Sequence, residues 1–433
     1  MAMTAREAAL QALERCRRGG AWSDAVLDGI VRAAGLDRRD TALAVRLCYG
    51  VQQNAALCDF YIDAYSSVRT RRMEPKLLDI LRLSVYSMLF LSRIPDRAAV
   101  SEAVALTKAA GLQRAAGLTN AVLRRVAENR EKLPEPPGKG TAQYLAVRYS
   151  HPVWLAAEYV AQLGYAGAEA ALAANNTVPP ITAQVNTLKT DAEILLARGA
   201  QPHPWLPDCV LLPGGGLDTV AEGLAYVQDA AARLAVMAAA PEPGMSVLDA
   251  CAAPGGKSFA AGILMQNRGM ILSCDLHEKK LRRVSEGARR LGLDILRTRT
   301  LDARKAGEML EERFDLVLAD VPCSGLGVIR KKPDIRYKPE AELAGLPDIQ
   351  LDILRGLAPC VRPGGVLLYS TCTTRERENA GVCAAFLAEH TEFAPEPFTL
   401  PEPAGAAETG MLSLWPHIHG TDGFFLCKLR KST

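Results

Sequence analysis

Through residues 4–130 apolar positions recur every three or four residues, the period of helices with one buried face. Ala9-Leu10-x-x-Leu13 and Val26-Leu27-x-x-Ile30-Val31 show this spacing, and Leu77 to Phe90 is apolar on nearly every side, as a central bundle helix would be. Ser101-Glu102-Ala103-Val104 reads as the opening of a further helix and Thr119-Asn120-Ala121-Val122 as that of the last. Strand signals are nearly absent. The pattern predicts an all-α bundle over 1–132, with Arg69, Arg71 and Arg72 on its surface.

The period then breaks. Leu133-Pro134-Glu135-Pro136-Pro137-Gly138-Lys139-Gly140 reads as a linker over 133–144, held extended by its prolines. A small α+β region over 145–235 is predicted next. It contains helices near Trp154–Leu163 and Asp191–Leu196, and strands at Ile181–Val185 and Cys209–Leu212. From 236 to 433 strand and helix alternate, with strands at Ser246–Asp249, Met270–Asp275, Arg297–Leu301, Phe314–Ala319 and Val366–Ser370. Such alternation predicts a Rossmann-like α/β domain, a parallel sheet covered on both faces.

Composition is that of an ordinary globular chain, 49% hydrophobic and 23% charged. No apolar run reaches the roughly 18 residues of a membrane span, and the amino terminus lacks the apolar core of a secretory signal. A cytoplasmic protein without a membrane partner is expected. Eleven cysteines without Cys-x-x-Cys spacing argue against a disulfide framework and against zinc, so no metal is expected. The net charge of +3 is uneven: residues 1–130 carry 20 Lys+Arg against 13 Asp+Glu, leaving 31 against 35 for the rest. A basic amino-terminal third points to a polyanion.

In an open α/β sheet, ligands bind at the carboxyl ends of the strands. Asp249-Ala250-Cys251-Ala252-Ala253-Pro254-Gly255-Gly256-Lys257 follows the first of these strands and opens a helix at Ser258. Glycines there let a ligand approach the backbone, and the helix-terminal amides favour negative charge. The pattern is not Gly-x-Gly-x-x-Gly, which counts against a dinucleotide. Asp275 ends the second strand twenty residues after Gly255, where an acid would bind ribose hydroxyls. Asp302 closes the third strand at the same edge, within reach of an adenine, and Lys257 could meet a carboxylate tail. This set suits S-adenosylmethionine better than a pyrophosphate cofactor.

Two cysteines stand at the ends of the next two strands, Cys323 in Asp320-Val321-Pro322-Cys323-Ser324-Gly325 and Cys372 in Ser370-Thr371-Cys372-Thr373. If those strands are neighbours, the thiols emerge side by side. The C5 of a cytosine or uracil is too weak a nucleophile to take a methyl group unaided. Thiolate addition at C6 activates it, and a second polar group must take the C5 proton for release. Two thiols and Asp320, the latter touching N3 or an exocyclic nitrogen, could fill these roles.

Asp249–Lys257, Asp320–Arg330 with Lys332-Pro333-Asp334-Ile335-Arg336, and Ser370–Thr373 together resemble the RNA cytosine-5 methyltransferases, especially the bacterial Sun/RsmB group that modifies 16S ribosomal RNA. The likeness runs along nearly the whole chain. Arg93–Val104 and Asn120–Arg125 resemble the NusB antitermination fold, Val227-Gln228-Asp229 the entry to the catalytic domain, and His419–Phe425 its closing strand. The resemblance implies Cys372 as nucleophile and Cys323 as the thiol needed for release. It places Ala252, Ala253, Pro254, Gly255, Gly256, Lys257, Ser258, Asp275, Asp302 and Asp320 around S-adenosylmethionine. It also implies a monomer acting on 16S ribosomal RNA, naked or in an early small-subunit particle. Phosphate contacts are expected from the helical domain, from 145–235, and from Arg330, Lys331, Lys332 and Arg336.

Two departures stand out. Gln184 occupies a position where relatives often carry Arg, and Thr374–Asn379 is more basic than the usual acidic run. The alternatives are a transfer-RNA methyltransferase of the same chemistry and a non-catalytic RNA-binding or ribosome-assembly factor.

Overall fold

A computed structural model describes residues 3–19, 23–92, 94–213 and 217–433. The chain forms two compact units, one of 1–177 with 329–338 and one of 178–328 with 339–433.

The first unit is helical. Its longer helices are Ala5–Gly19, Ser23–Ala34, Arg38–Tyr65, Pro75–Phe90, Asp96–Ala109, Ala116–Glu128, Ala142–Arg148 and Val153–Ala174. The central Pro75–Phe90 helix buries Leu77, Ile80, Leu81 and Met88 at its core, as its all-round apolar pattern predicts. Arg93 lies outside the described residues; Arg69, Arg71 and Arg72 are exposed. Two helix starts differ from expectation. The helix expected from Ser101 begins at Asp96, because Pro95 already occupies the N-cap and its carbonyl accepts from Ala98 and Ala99. The last helix begins at Ala116 rather than Thr119, whose buried hydroxyl meets that of Thr107 at 3.1 Å instead of capping. The helix expected to stop at Leu163 resumes beyond Gly164, which sits at φ +69°.

The segment 329–338 is planted in this helical unit. The Arg38–Tyr65 helix breaks at Asn54 (φ −128°), which frees the carbonyls of Gln52 and Gln53. Arg336, fully buried, donates to the carbonyls of Gln53 (3.3 Å), Tyr149 (3.3 Å) and Ser150 (3.0 Å), and to Asn176 Oδ1 (2.8 Å). The Tyr337 hydroxyl donates to the Gln52 carbonyl. Burial without a carboxylate holds Arg336 down at about 10, and His151, buried beside it, is lowered far from its usual range. Arg336 is thus a structural plug and not a phosphate contact, and Arg330 is buried as well. Both expectations are corrected.

The second unit opens with a small antiparallel sheet. Its strands run in the order Gln201–Pro202, Cys209–Leu211, Thr182–Val185, Ala225–Val227. Gln184 is buried within it, donating to the Gln228 carbonyl at 3.2 Å and accepting from Cys209 Sγ at 2.7 Å. It does not face solvent, so it is no RNA contact.

The large sheet follows. Its elements are α1 (Ala230–Ala239), β1 (Ser246–Asp249), α2 (Gly256–Leu264), β2 (Met270–Asp275), α3 (Glu278–Leu291), β3 (Leu296–Thr300), β4 (Phe314–Asp320), α4 (Leu346–Leu357), β5 (Val361–Thr371), α5 (Ala380–Glu389), β6 (Phe393–Pro395), β7 (Met411–Leu414) and β8 (Phe424–Lys431). Strand order is β6-β8-β5-β4-β1-β2-β3, with β7 paired to β8. The five expected strands are parallel, but β8 runs antiparallel to β5, so the sheet is mixed. Alternate residues serve the two faces. Val247, Leu316, Leu318 and Leu368 pack under α1, α2 and α3, while Leu248, Val317, Ala319 and Leu367 pack under α4 and α5.

Candidate active site

The turn after β1 is built for close approach. Ala252 N donates to Cys274 O at 2.7 Å, and Gly255, at φ +112°, donates to Ala252 O at 2.6 Å. A Cβ on Gly255 would stand 2.4 Å from the Phe259 ring, and one on Gly256 would stand 2.9 Å from Gln228 Nε2. Ala253 and Pro254 face outward over the turn, joined by a cis peptide. Ser258 does not face solvent: its hydroxyl donates to Asp249 Oδ2 at 2.6 Å and lies 2.7 Å from Ser273 Oγ. Burial raises the Asp249 carboxyl to about 6, against the lowering effect of Ser258 and Lys257.

The acids of the strand ends are on the same edge. Asp275 closes β2, buried, and accepts from His277 N at 2.9 Å. Asp302 lies just beyond β3, where Arg304 grips both its oxygens (3.0 and 2.7 Å) and holds the carboxyl below its usual range. Lys257, expected at a carboxylate tail, instead reaches Asp320 Oδ2 at 2.7 Å over the Phe424 ring. Ser370 Oγ donates to the other oxygen of Asp320 at 2.9 Å.

β4 and β5 are parallel neighbours with Asp320 opposite Ser370, and two to three residues later their chains deliver Cys323 and Cys372. The two Sγ atoms lie 3.3 Å apart, both half-buried. Their hydrogen bond, and then burial, push Cys323 far above the usual thiol range. Cys323 therefore keeps its proton near neutral pH and can donate it to the Cys372 sulfur.

Several residues that fix this pair left no local signal in the sequence. Glu378, fully buried, accepts from Ser324 N at 2.8 Å and from Gln350 Nε2 at 3.1 Å. Gln350 also donates to Pro322 O at 3.0 Å, and the Tyr369 hydroxyl donates to the Glu378 carbonyl at 2.5 Å. Ser324 Oγ meets Thr373 Oγ1 at 2.7 Å, tying one cysteine loop to the other. The closing segment seats both: Gly327 N donates to Cys372 O (2.9 Å) and Gly423 N to Gly327 O (2.8 Å). A Cβ on Gly327 would fall 1.9 Å from the Gly423 carbonyl oxygen, so only glycine fits this crossing. Arg375, in the run read as unusually basic, is buried and pairs with Glu340 at 3.2 Å.

The arrangement offers a glycine cradle, an acid at each of three strand ends and two apposed thiols. Gly255 and Gly256 keep the turn backbone bare and pressed against Phe259 and Gln228, and Asp275 closes the strand next to them, which fits an adenosyl cofactor approaching the main chain. Among the described residues no group of three or more His, Cys, Asp or Glu side chains could hold a metal ion, and no helix is long and apolar enough to cross a membrane.

Comparison with known proteins agrees with this geometry. Residues 236–430 match the family described as 16S rRNA methyltransferase RsmB/F, residues 3–128 the NusB family, and residues 151–216 the ferredoxin-like domain of RsmF/B-like methyltransferases. A probable ribosomal RNA small subunit methyltransferase B of Bacillus subtilis (strain 168) is 39% identical, over 98% of both chains. One from Synechocystis sp. is 32% identical over 99% of this chain and 100% of its own. The crystal structure of PH0851 superposes with a TM-score of 0.78 at 26% identity, covering 100% of each chain.

Proposed function

We infer the reaction from one premise: the chain belongs to the RsmB family of ribosomal RNA small subunit methyltransferases, enzymes that depend on S-adenosylmethionine. We propose that it methylates C5 of a cytosine in 16S ribosomal RNA, as a monomer in the cytoplasm, through a covalent bond between Cys372 and C6. The observation that carries this reading is the 3.3 Å apposition of Cys372 and Cys323 beside the glycine turn.

Ala252, Ala253, Pro254, Gly255, Gly256 and Lys257 would form the wall of the cofactor site, with Ser258 buried behind it against Asp249, Asp275 on the ribose and Asp302 towards the adenine. When bound, S-adenosylmethionine supplies a methyl group on a sulfonium, an electrophile in need of an electron-rich carbon. Asp320, steadied by Lys257 and Ser370, holds the base by its exocyclic nitrogen or N3. Cys372 loses its proton to solvent and adds to C6, and the displaced electron pair gives C5 its nucleophilic character. The hydrogen bond that most raises Cys323 disappears once Cys372 is bonded to carbon. Cys323 then loses its proton more easily, takes the proton from C5 as the C6–S bond breaks, and frees the methylated base.

The test separates the two thiols. Cys323→Ala incubated with 16S transcript and cofactor should accumulate a protein–RNA adduct stable to denaturing electrophoresis. Cys372→Ala should neither crosslink nor methylate. An adduct from Cys372→Ala alone would reverse the assignment. Bisulfite sequencing of ribosomal RNA from a deletion strain identifies the modified cytosine.

A further inference from the structure

Residues 131–433 carry slightly more acid than base, yet 278–300 hold eight Lys and Arg against three Asp and Glu. The surplus is not spread around α3. Leu281, Val284, Gly287, Ala288 and Leu291 are buried against the sheet. The opposite stripe presents Lys279, Arg282, Arg283, Arg289 and Arg290 at helical spacing, with Glu286 its sole acid. Strand β3, at the sheet edge, adds exposed Arg297 and Arg299, and Ser285 Oγ meets Thr298 Oγ1 at 3.2 Å across the join.

Several exposed arginines elsewhere on this unit are neutralised, Arg304 by Asp302, Arg355 by Asp352 and Glu389, Arg430 by Glu396, while Arg268 and Arg313 spend their guanidinium groups on nearby amide oxygens. Lys279, Arg282, Arg283 and Arg289 have no carboxylate within 4 Å among the described residues, and Glu286 is not drawn to any of its four cationic neighbours one turn away. Like charges three and four residues apart weaken a helix. A stripe kept unpaired at that cost is matched to an anionic partner.

Beside it, between α3 and the small sheet, lies a cleft of about 470 Å³. Arg283 and Arg290, with Glu286 between them, form its charged side, net positive. Val227, half exposed, and Pro254 form its apolar side. A line of cations about 15 Å long (ten steps of 1.5 Å from Lys279 to Arg289) leading to a cleft with an apolar side and a net positive one suits a strand of phosphates bearing unpaired bases.

We propose that the α3–β3 face and its cleft bind a single-stranded segment of the substrate RNA away from the methylated base. This rests on the reading that ribosomal RNA is the substrate. The stripe sets affinity and register of the RNA, and takes no part in the chemistry at Cys372.

The test is the salt dependence of binding to a 16S transcript. Each phosphate contact contributes about 0.7–0.9 to the slope of log affinity against log salt. Arg282→Gln/Arg283→Gln/Arg289→Gln should flatten that slope by about 2 and raise the KM for RNA. Melting temperature and cofactor affinity report whether the variant is folded. Should it fail to fold, Arg283→Gln alone should flatten the slope by about 0.7–0.9. Glu286→Gln should act in the opposite sense and tighten binding. Wild-type protein that methylates the transcript while these variants keep its slope and KM would overturn this proposal alone. Wild-type protein that neither binds nor methylates the transcript would overturn the substrate reading, and this proposal with it.

Discussion

Replacing Glu378 by alanine isolates what holds the Cys323 loop. The carboxylate is fully buried, and its Oε2 is the acceptor for both Ser324 N (2.8 Å) and Gln350 Nε2 (3.1 Å). Hydrogen bonds to a charged group contribute about 1.5–3 kcal/mol each, so two of them amount to roughly 3–6 kcal/mol. Part of this is returned, because the wild-type carboxylate has a buried, unpartnered Oε1 whose desolvation the variant escapes. A net loss of about 3 kcal/mol is expected at the loop, about two decades in the opening equilibrium of the Ser324 amide. Hydrogen exchange read on peptides covering 321–328 should therefore quicken about a hundredfold. Glu378→Gln, which keeps the volume and one carbonyl oxygen, should quicken it about tenfold. Methyl transfer should fall with it, since a nucleophile pair displaced by about 1 Å loses about a hundredfold in rate. Exchange within threefold of wild type in Glu378→Ala would show that something other than Glu378 holds the loop.

Other perturbations give distinct readouts. Asp249 titrates near 6 in the fold because it is buried, against about 3.9 in an unfolded chain. Its contribution is therefore fully present below about pH 4 and is lost as pH rises through about 6, a change of roughly 3 kcal/mol. Thermal melts of Asp249→Asn should lack that component relative to wild type; identical pH profiles would contradict it. Lys257→Met removes the cation 2.7 Å from Asp320, so single-turnover methylation should drop at least tenfold, more than cofactor affinity does. The reverse ranking would return Lys257 to the cofactor. Dilute hydrogen peroxide should inactivate the enzyme reversibly: one thiol becomes a sulfenic acid with loss of water, and its neighbour 3.3 Å away displaces a second water to form a disulfide. Peptide mapping should find Cys323 joined to Cys372, with activity restored by dithiothreitol; persistent sulfonic acid instead of that link would refute it.

Much of this site is legible in the order of residues because its signals are local. A hydrophobic run ending in Asp-Val-Pro-Cys or Ser-Thr-Cys marks both a strand and the carboxyl edge where it stops, and parallel pairing of β4 with β5 brings the two thiols together. The same holds for the glycine turn after β1. What stayed hidden depends on distant partners. Arg336 looks like any surface cation until a helix break at Asn54, more than 280 residues earlier, leaves carbonyls for it to fill. Glu378 sits in a run noted only for being more basic than usual, and its role depends on Ser324 and Gln350 folding back against it. Ser101 and Thr119 imitate helix caps, but Pro95 and the Thr107–Thr119 contact decide otherwise.

The planted segment 329–338 bears on how such a protein can be taken apart. A stretch encoded in the middle of the methyltransferase half completes the hydrogen bonding of the helical half. Cutting the gene at the proline-rich stretch around 133–140 therefore does not separate two self-sufficient products. One fragment would lack the groups that satisfy its broken helix, and the other would keep the bonds of Arg336 to Tyr149, Ser150 and Asn176 but lose those of Arg336 to Gln53 and of Tyr337 to Gln52. Recombination that swaps the amino-terminal domain between relatives must exchange these ten residues as well.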